Sequence, residues 1–415
     1  MSTSPTLPLP TLPTEVILQI FQEECYDDAD LASLALVSRR FFPTVQPILY
    51  GSNIVHSYHR LLPTDDFTPQ EEERSPRDLY YDERTQLYLR TLEENPRLGS
   101  HTKWLRFSHC EVETADDMLV CTSPSPALVT QDLLHYATNL DELILGKDFL
   151  GVSSTDIWRS FKLRGDKIKT LAIYEKLDRE AVRAVAETFP SLTTLTVSGF
   201  PPITHRRRHR RRVLPVLHSL ETLTIDGEQR GAIQLPFIGP SLRKLRCNVL
   251  TAAELDYQRC PGLQHLELNY EPCHADDDYS EIYLQARDLL TKLTSCPSLD
   301  TITILNPCKV DHFNMEHWWK QNWSLFGTHC AYMTEFRLPK LRKVIFDGGI
   351  FVDQIATFLG LDLKPGIKNL DLVVDRLSYN ETNRRMQENL QNAVRGMCEA
   401  RGINLAVSHY SSADA

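Results

Sequence analysis

Pro190-Ser191-Leu192-Thr193-Thr194-Leu195-Thr196-Val197 is the stretch whose reading decides the fold. Its form, Pro-x-Leu-x-x-Leu-x-aliphatic, returns throughout the later chain. Such self-similarity marks a stack of repeated units. Aligned copies place three inward sites at Thr102/Leu105/Phe107, Leu140/Leu143/Leu145, Ile168/Leu171/Ile173, Leu192/Leu195/Val197 and Leu220/Leu223/Ile225. The series continues through Leu242/Leu245/Cys247, Leu263/Leu266/Leu268, Leu299/Ile302/Ile304, Leu341/Val344/Phe346 and Ile367/Leu370/Leu372. The spacing drifts between about 21 and 42 residues, looser than a strict leucine-rich repeat.

Alternation along a short strand decides what each position does. The last two sites of each triplet face the core together, and the residues before them face outward. A strand this short must pair with the next copy, which predicts a parallel sheet. Right-handed crossovers then place helices on the outer, convex side and leave the sheet concave. The expected class is α/β, a solenoid behind a small helical module. Three joints are expected as helices stopped by proline: Ala181–Phe189 before Pro190, Tyr257–Cys260 before Pro261, and Ile282–Ser295 before Pro297. Asn380–Ala400 is expected to be helical, with Gly402 as its stop and Ile403, Leu405 and Val407 alternating as a last strand.

The outward positions form the candidate target-binding surface: Trp104, Arg106, Thr194, Thr196, Thr222, Thr224, Lys244, Arg246, His265 and Glu267. The same phase adds Glu142, Thr170, Thr301, Thr303, Lys343, Asn369 and Asp371. Threonine dominates the middle, and Lys244/Arg246 beside His265/Glu267 make a charged patch suited to a protein or peptide ligand. Threonine is also simply a good exposed strand former.

The front of the chain is different. Residues 1–11 are rich in Pro, Ser and Thr and read as a flexible lead-in. Pro13 suits a first helical position, Glu15 complements the helix dipole, and Val16, Ile17, Ile20 and Phe21 follow at helical spacing. Asp30 can cap a second helix carrying Leu31, Leu34, Val37 and Phe41. Residues 12–55 thus read as a helical module too short to bury both faces of its helices. Its apolar stripe is left either for a partner helix or for the repeats behind it.

This stretch resembles the F-box motif in the form common in fungal proteins. The matching residues are Leu12-Pro13-x-Glu15, Ile20-Phe21, Asp30-Leu31, Leu34, Leu36-Val37-Ser38-Arg39-Arg40-Phe41 and Pro47-Ile48-Leu49-Tyr50. The polar Tyr26–Asp28 segment departs from the pattern, where many F-boxes carry a leucine. The resemblance implies docking to a Skp-type adaptor and, through it, to a cullin-RING ligase. It implies adaptor contacts by Leu12, Pro13, Glu15, Val16, Ile17, Ile20, Phe21, Leu31, Leu34, Val37, Ser38 and Phe41. The repeats resemble the cysteine-containing type of leucine-rich repeat, which often accompanies F-boxes. The implied role is the target-recognition subunit of an SCF-type E3 ubiquitin ligase, without catalytic residues. The alternative is a repeat scaffold outside any ligase.

Residues 56–78 hold Pro63, Pro69 and Pro76 among dense acids and read as a linker. Leu79–Asn95 is expected to be a helix opening a solenoid that runs over 79–408, with 409–415 as a flexible tail. Net charge is −10, which argues against the whole chain being a nucleic-acid binder. Ten cysteines without a C-x-x-C pair, behind an N-terminus without a basic n-region or apolar h-region, point to free thiols in a reducing compartment. The expected location is cytoplasmic, nuclear or both, with no membrane span.

No nucleotide-binding, hydrolase or zinc motif stands in the sequence, and no cofactor or metal is expected. Cys273-His274 with Asp276, Asp277 and Asp278 reads as a solvated loop, because contiguous acids lack calcium-loop geometry. Cys110, Cys247, Cys260 and Cys296 occupy repeat positions that want a small apolar residue. Arg206, Arg207, Arg208, Arg210, Arg211 and Arg212 form a basic run expected to be exposed: a nuclear import signal, a contact for an acidic partner or weakly for nucleic acid, or simply a solvated insertion or basic convex helix. Trp318, Trp319 and Trp323 read either as anchors of an irregular insertion or as a binding hot spot.

Overall fold

A computed structural model describes residues 42–58, 83–110, 133–146, 154–200, 215–226, 235–269, 289, 292–293, 296–305, 342–347, 368–374, 392 and 394–409. The chain divides into two compact units, Met1–Leu171 and Ala172–Ala415. The division falls within strand β4 (Thr170–Lys176).

In the first unit, helix α1 (Phe42–Leu49) turns directly into β1 (Ser52–Tyr58), which pairs in parallel with β2 (Trp104–Cys110). Helix α2 (Glu83–Glu94) and a 3-10 turn (Pro96–His101) lead into β2, and β2 pairs in parallel with β3 (Glu142–Leu145). Helix α3 (Ser154–Phe161) follows.

The second unit is an eight-strand parallel sheet with helices, an α/β architecture. Helix α4 (Arg179–Thr188) leads into β5 (Thr194–Gly199), which is followed by β6 (Thr222–Ile225) and β7 (Lys244–Asn248). Helix α5 (Val249–Glu254) separates β7 from β8 (His265–Asn269). Then come β9 (Thr301–Leu305), β10 (Lys343–Asp347), β11 (Asn369–Val374) and β12 (Asn404–His409). Each strand pairs in parallel with the next, in chain order.

The register is the one the repeat phasing predicts. Leu195, Leu223, Leu245, Leu266, Ile302, Val344, Leu370 and Leu405 stand side by side across the sheet. Leu195, Leu223, Leu245, Leu266, Ile302 and Leu370 are all fully buried. Burial of each such side chain contributes roughly 1.5–3 kcal/mol.

A backbone device fixes this register. From β5 to β10, the carbonyl just before the strand's first outward residue accepts two successive amides at the start of the next strand. Thr193 O takes Glu221 N and Thr222 N at 2.8 and 2.9 Å, and Arg243 O takes Gln264 N and His265 N at 2.8 and 2.9 Å. Gly51 O in the first unit does the same for Lys103 N and Trp104 N at 3.0 and 3.2 Å. A carbonyl has two lone pairs, so both bonds form at one oxygen. A one-residue slip would forfeit the pair and turn every leucine outward.

The proline signal has a sharper meaning than helix termination. Leu192 N donates to Phe189 O, Leu242 N to Gly239 O and Leu263 N to Cys260 O, each closing a β-turn. Pro190, Pro240 and Pro261 occupy the second position of those turns, where their fixed φ fits. Leu217–Leu220 forms the same turn without proline.

Helix α4 is held at its start by Asp178, whose carboxylate accepts from Glu180 N (2.9 Å) and Ala181 N (2.7 Å). It buries Ala181, Val182 and Val185, with Phe189 behind them. Tyr257–Cys260 is a 3-10 turn (Tyr257–Arg259) capped by Cys260. Gly402, at φ +68°, ends the last helix, and Ile403 N returns to Cys398 O at 2.9 Å. Within Ile282–Ser295 and Asn380–Ala400 the described residues include helical ones; the rest lie outside the described residues.

Strand β1 lies where the sequence suggested the end of a helical module at residue 55 and a linker from 56. Its register explains the omission: Asn53 stands opposite Leu105, so a polar residue fills the position that carries leucine elsewhere. Helices α3 and α5 were likewise not signalled by the repeat pattern.

Neighbouring repeats are also joined by side chains donating to backbone carbonyls. Arg164 reaches Leu134 O (3.0 Å) and His135 O (3.2 Å), and Lys167 reaches Thr138 O (3.2 Å). Asn139 reaches Ser100 O (2.7 Å), and in the second unit Arg259 reaches Ile238 O (3.4 Å). These varied donors supply cross-repeat contacts without a regular asparagine at the turn.

Gly99 shows how closely two repeats approach. A Cβ there would lie 2.5 Å from Tyr136 O and 2.7 Å from Tyr136 C, a clash with backbone that no rotamer relieves. Gly99→Ala is expected to destabilise the first unit by about 1–3 kcal/mol. Chemical denaturation should show a lowered midpoint, while Gly396→Ala, with nothing within 4 Å, should not lower it.

Candidate target-binding face

The ten candidate surface residues all lie on strands with outward phase, and Arg106, Thr196, Thr224, Arg246 and Glu267 each stand between two buried neighbours. In the first unit, Trp104 stands opposite Glu142 and Arg106 opposite Ile144. In the second unit the candidates fall into two rows running across the strands. The first row is Thr194, Thr222, Lys244, His265, Thr301, Lys343, Asn369 and Asn404. The second is Thr196, Thr224, Arg246, Glu267, Thr303, Ile345, Asp371 and Ala406. Thr303, expected at the surface, is buried at 4% exposure, its hydroxyl meeting His265.

The charged side chains are held by diagonal pairs. Lys244 Nζ lies 2.6 Å from Glu267 Oε1, and Lys343 Nζ lies 2.5 Å from Asp371 Oδ2. Arg246 Nη2 reaches back to Asp226 Oδ1, just past the end of β6, at 2.9 Å. Glu267 is the anchor of the cluster, with only 13% of its side chain exposed. Exposed pairs of this kind contribute about 0–1 kcal/mol, so they orient the face more than they stabilise it.

His265 occupies the middle of the first row. Its Nε2 lies 2.7 Å from Thr303 Oγ1 and 3.5 Å from Glu267 Oε1. Partial burial holds the imidazole below its ordinary range; Lys244 and Lys343 push the same way, and Glu267 and Asp300 oppose them. At neutral pH the ring is uncharged, so its contact with Glu267 is not an ion pair. The unfolded chain protonates first, near about pH 6.5. Stability is therefore lost as pH falls from that value through the lower folded one. Urea midpoints measured between pH 7.5 and 5 should fall less steeply for His265→Gln than for the native chain.

Asp226, Asp300, Arg342 and Lys368 complete the electrostatics of this face, and the sequence reading did not single them out. Asp226 has the same parity as Thr222 and Thr224, so one further step along the strand identifies it. The other three flank their strands, and only the fixed register brings them into one margin.

The buried cysteines pack as expected. Cys247, Cys260, Cys296 and Cys398 are free and buried. Burial pushes the Cys260 thiol up to about 12, with Cys296 and Asp256 adding to it. Burial likewise raises Cys247, and thiols held protonated are poor nucleophiles and ligands. Cys110 is the last residue of β2. Among the described residues no group of His, Cys, Asp and Glu could hold a metal ion, and no helix is long and apolar enough to cross a membrane.

The twelve residues implied in adaptor contact, from Leu12 to Phe41, lie outside the described residues. So do the Arg206–Arg212 run, the Cys273–Asp278 loop and Trp318, Trp319 and Trp323. At the described end of the helical module, Val45 is fully buried and Tyr50 stacks on Tyr88 with centroids 6.3 Å apart. Tyr88 Oη in turn lies 2.7 Å from Thr102 Oγ1 in a buried contact.

Comparison with known proteins gives the helical module a family. The family described as F-box-like matches residues 9–49. No curated protein matches the chain. Among solved structures, the chain is similar to the leucine-rich repeat-containing protein LegL7 from Legionella pneumophila. The identity is 9% and the TM-score 0.33, with 85% of this chain and 90% of that one covered.

Proposed function

We propose that this chain is the target-recognition subunit of an SCF-type E3 ubiquitin ligase. The F-box-like domain at residues 9–49 carries the proposal, because F-box domains generally bind Skp-type adaptors. The parallel sheet supports the second half: over β5–β8 it presents two rows of polar side chains, a surface suited to a protein ligand. Catalysis belongs to the cullin-RING partners, and no residue of this chain is given a catalytic role. Arg206–Arg212 enters the proposal as a nuclear import signal, with the chain working in the cytoplasm, the nucleus or both.

The test is capture of a purified Skp-type adaptor by the full chain. Wild type should retain the adaptor through gel filtration, and Leu12→Ala with Pro13→Ala should lose it. A wild-type chain that never retains the adaptor leaves a repeat scaffold outside any ligase.

A further inference from the structure

Charge on the second unit's sheet is sorted along the strand direction. At the N-terminal margin of β7–β11, the first outward residue and the one before it are Arg243-Lys244, Gln264-His265, Asp300-Thr301, Arg342-Lys343 and Lys368-Asn369. That margin holds five full cations, one histidine and one carboxylate, in a chain whose net charge is −10. Glu221 continues the margin one strand earlier, before β6, and Glu267, Asp371 and Asp226 lie further along the strands. Asp300 is occupied by Thr301, whose hydroxyl donates to it at 2.7 Å.

From these observations we infer that the N-terminal margin of β7–β11 binds an extended acidic segment of the target protein, lying across the strands. This inference rests on the sheet face being the target-binding surface. Lys244 and Lys343 have 39% and 38% of their side chains exposed, and Arg342 and Lys368 are exposed. Each lysine head has three donors, and the pairs to Glu267 and Asp371 leave donors for a ligand carboxylate while fixing where the head points. Preset heads lower the ordering cost of binding.

The geometry sets the segment's size. Strands lie about 4.8 Å apart, so Lys244 on β7 and Lys368 before β11 are separated by roughly 19 Å, the span of about six extended residues. Among the described residues the large exposed apolar side chains are Leu87, Leu163 and Tyr174, none of them on β5–β12. An amphipathic helix would find no apolar groove here. The carboxylates further along the strands repel a nucleic-acid backbone that wandered off the margin.

The probe is a labelled ten-residue peptide of alternating Glu and Thr, with a Gln-Thr peptide as control, titrated by fluorescence anisotropy into the full chain. The Glu peptide should bind at least tenfold more tightly than the Gln peptide and weaken as salt rises. Lys244→Gln with Lys343→Gln should weaken it at least tenfold, with an unchanged melting transition. A chain with Arg206–Arg212 replaced by glutamine should bind it as wild type does. Equal binding of the two peptides would overturn the inference, as would full binding by the lysine variant or loss on replacing the arginines. Stronger binding of a single-stranded oligothymidylate would overturn it too. Adaptor capture, measured on the same samples, reports separately on the ligase proposal.

Discussion

Leu245→Ala should lower the stability of the second unit by about 2–5 kcal/mol, the range for truncating a leucine in a core that cannot collapse around the loss. Leu245 is fully buried, and its register partners Leu223 and Leu266 are fully buried too. Those partners are held in place by paired backbone bonds on both sides: Glu221 O accepts Arg243 N and Lys244 N, and Arg243 O accepts Gln264 N and His265 N. The strands therefore cannot shift to fill the cavity without giving up four hydrogen bonds. In a stack, each unit's stability is lent to its neighbours, so the loss should spread. Hydrogen exchange should quicken at β6, β7 and β8 together. By contrast, Thr224→Ala, at an outward position beside Arg246, should change the denaturation midpoint little.

Leu12→Ala with Pro13→Ala should reduce adaptor capture to background. The F-box-like match begins at residue 9, so both positions lie near its start. By the sequence expectation, Pro13 suits a first helical position, where its missing amide costs nothing, and Leu12 stands just ahead of Val16 and Ile20 at helical spacing. Removing both takes away an apolar anchor and the local stiffness that presents it. Interfaces of this type depend on a few such anchors, so the loss should be near complete rather than graded. Circular dichroism and the melting transition of the sheet should stay as in wild type, because the repeats stack on one another.

Much of this molecule could be read directly from its residues. Leu195 and Val197 announce a buried face and Thr194 and Thr196 the opposite one, because period-two alternation has a single interpretation once proline marks where the strand begins. Where that code is broken, the reading failed: Asn53 takes the place of a leucine, so β1 was invisible. Interactions set by three-dimensional approach left little local trace. Arg164 reaching Leu134 and His135, and Gly99 lying against Tyr136, join residues far apart in sequence. The candidate face was legible residue by residue but not as an electrostatic object. Lys244, Arg246, His265 and Glu267 read as one mixed patch. The register separates them into a basic margin and acids further along, with Arg246 turned to Asp226 and Glu267 shared between Lys244 and His265.

In the proposed function, adaptor docking lies within residues 9–49 and target binding on the sheet face. The most direct test compares three full-length proteins in one quantitative affinity-capture experiment: wild type, the Leu12→Ala/Pro13→Ala variant and the Lys244→Gln/Lys343→Gln variant. The readouts are bound Skp-type adaptor and the bound acidic peptide. A crossed result is expected, in which the first variant loses the adaptor and keeps the peptide while the second keeps the adaptor and loses the peptide. Absence of adaptor from the wild-type capture, or loss of both ligands together in either folded variant, would contradict it.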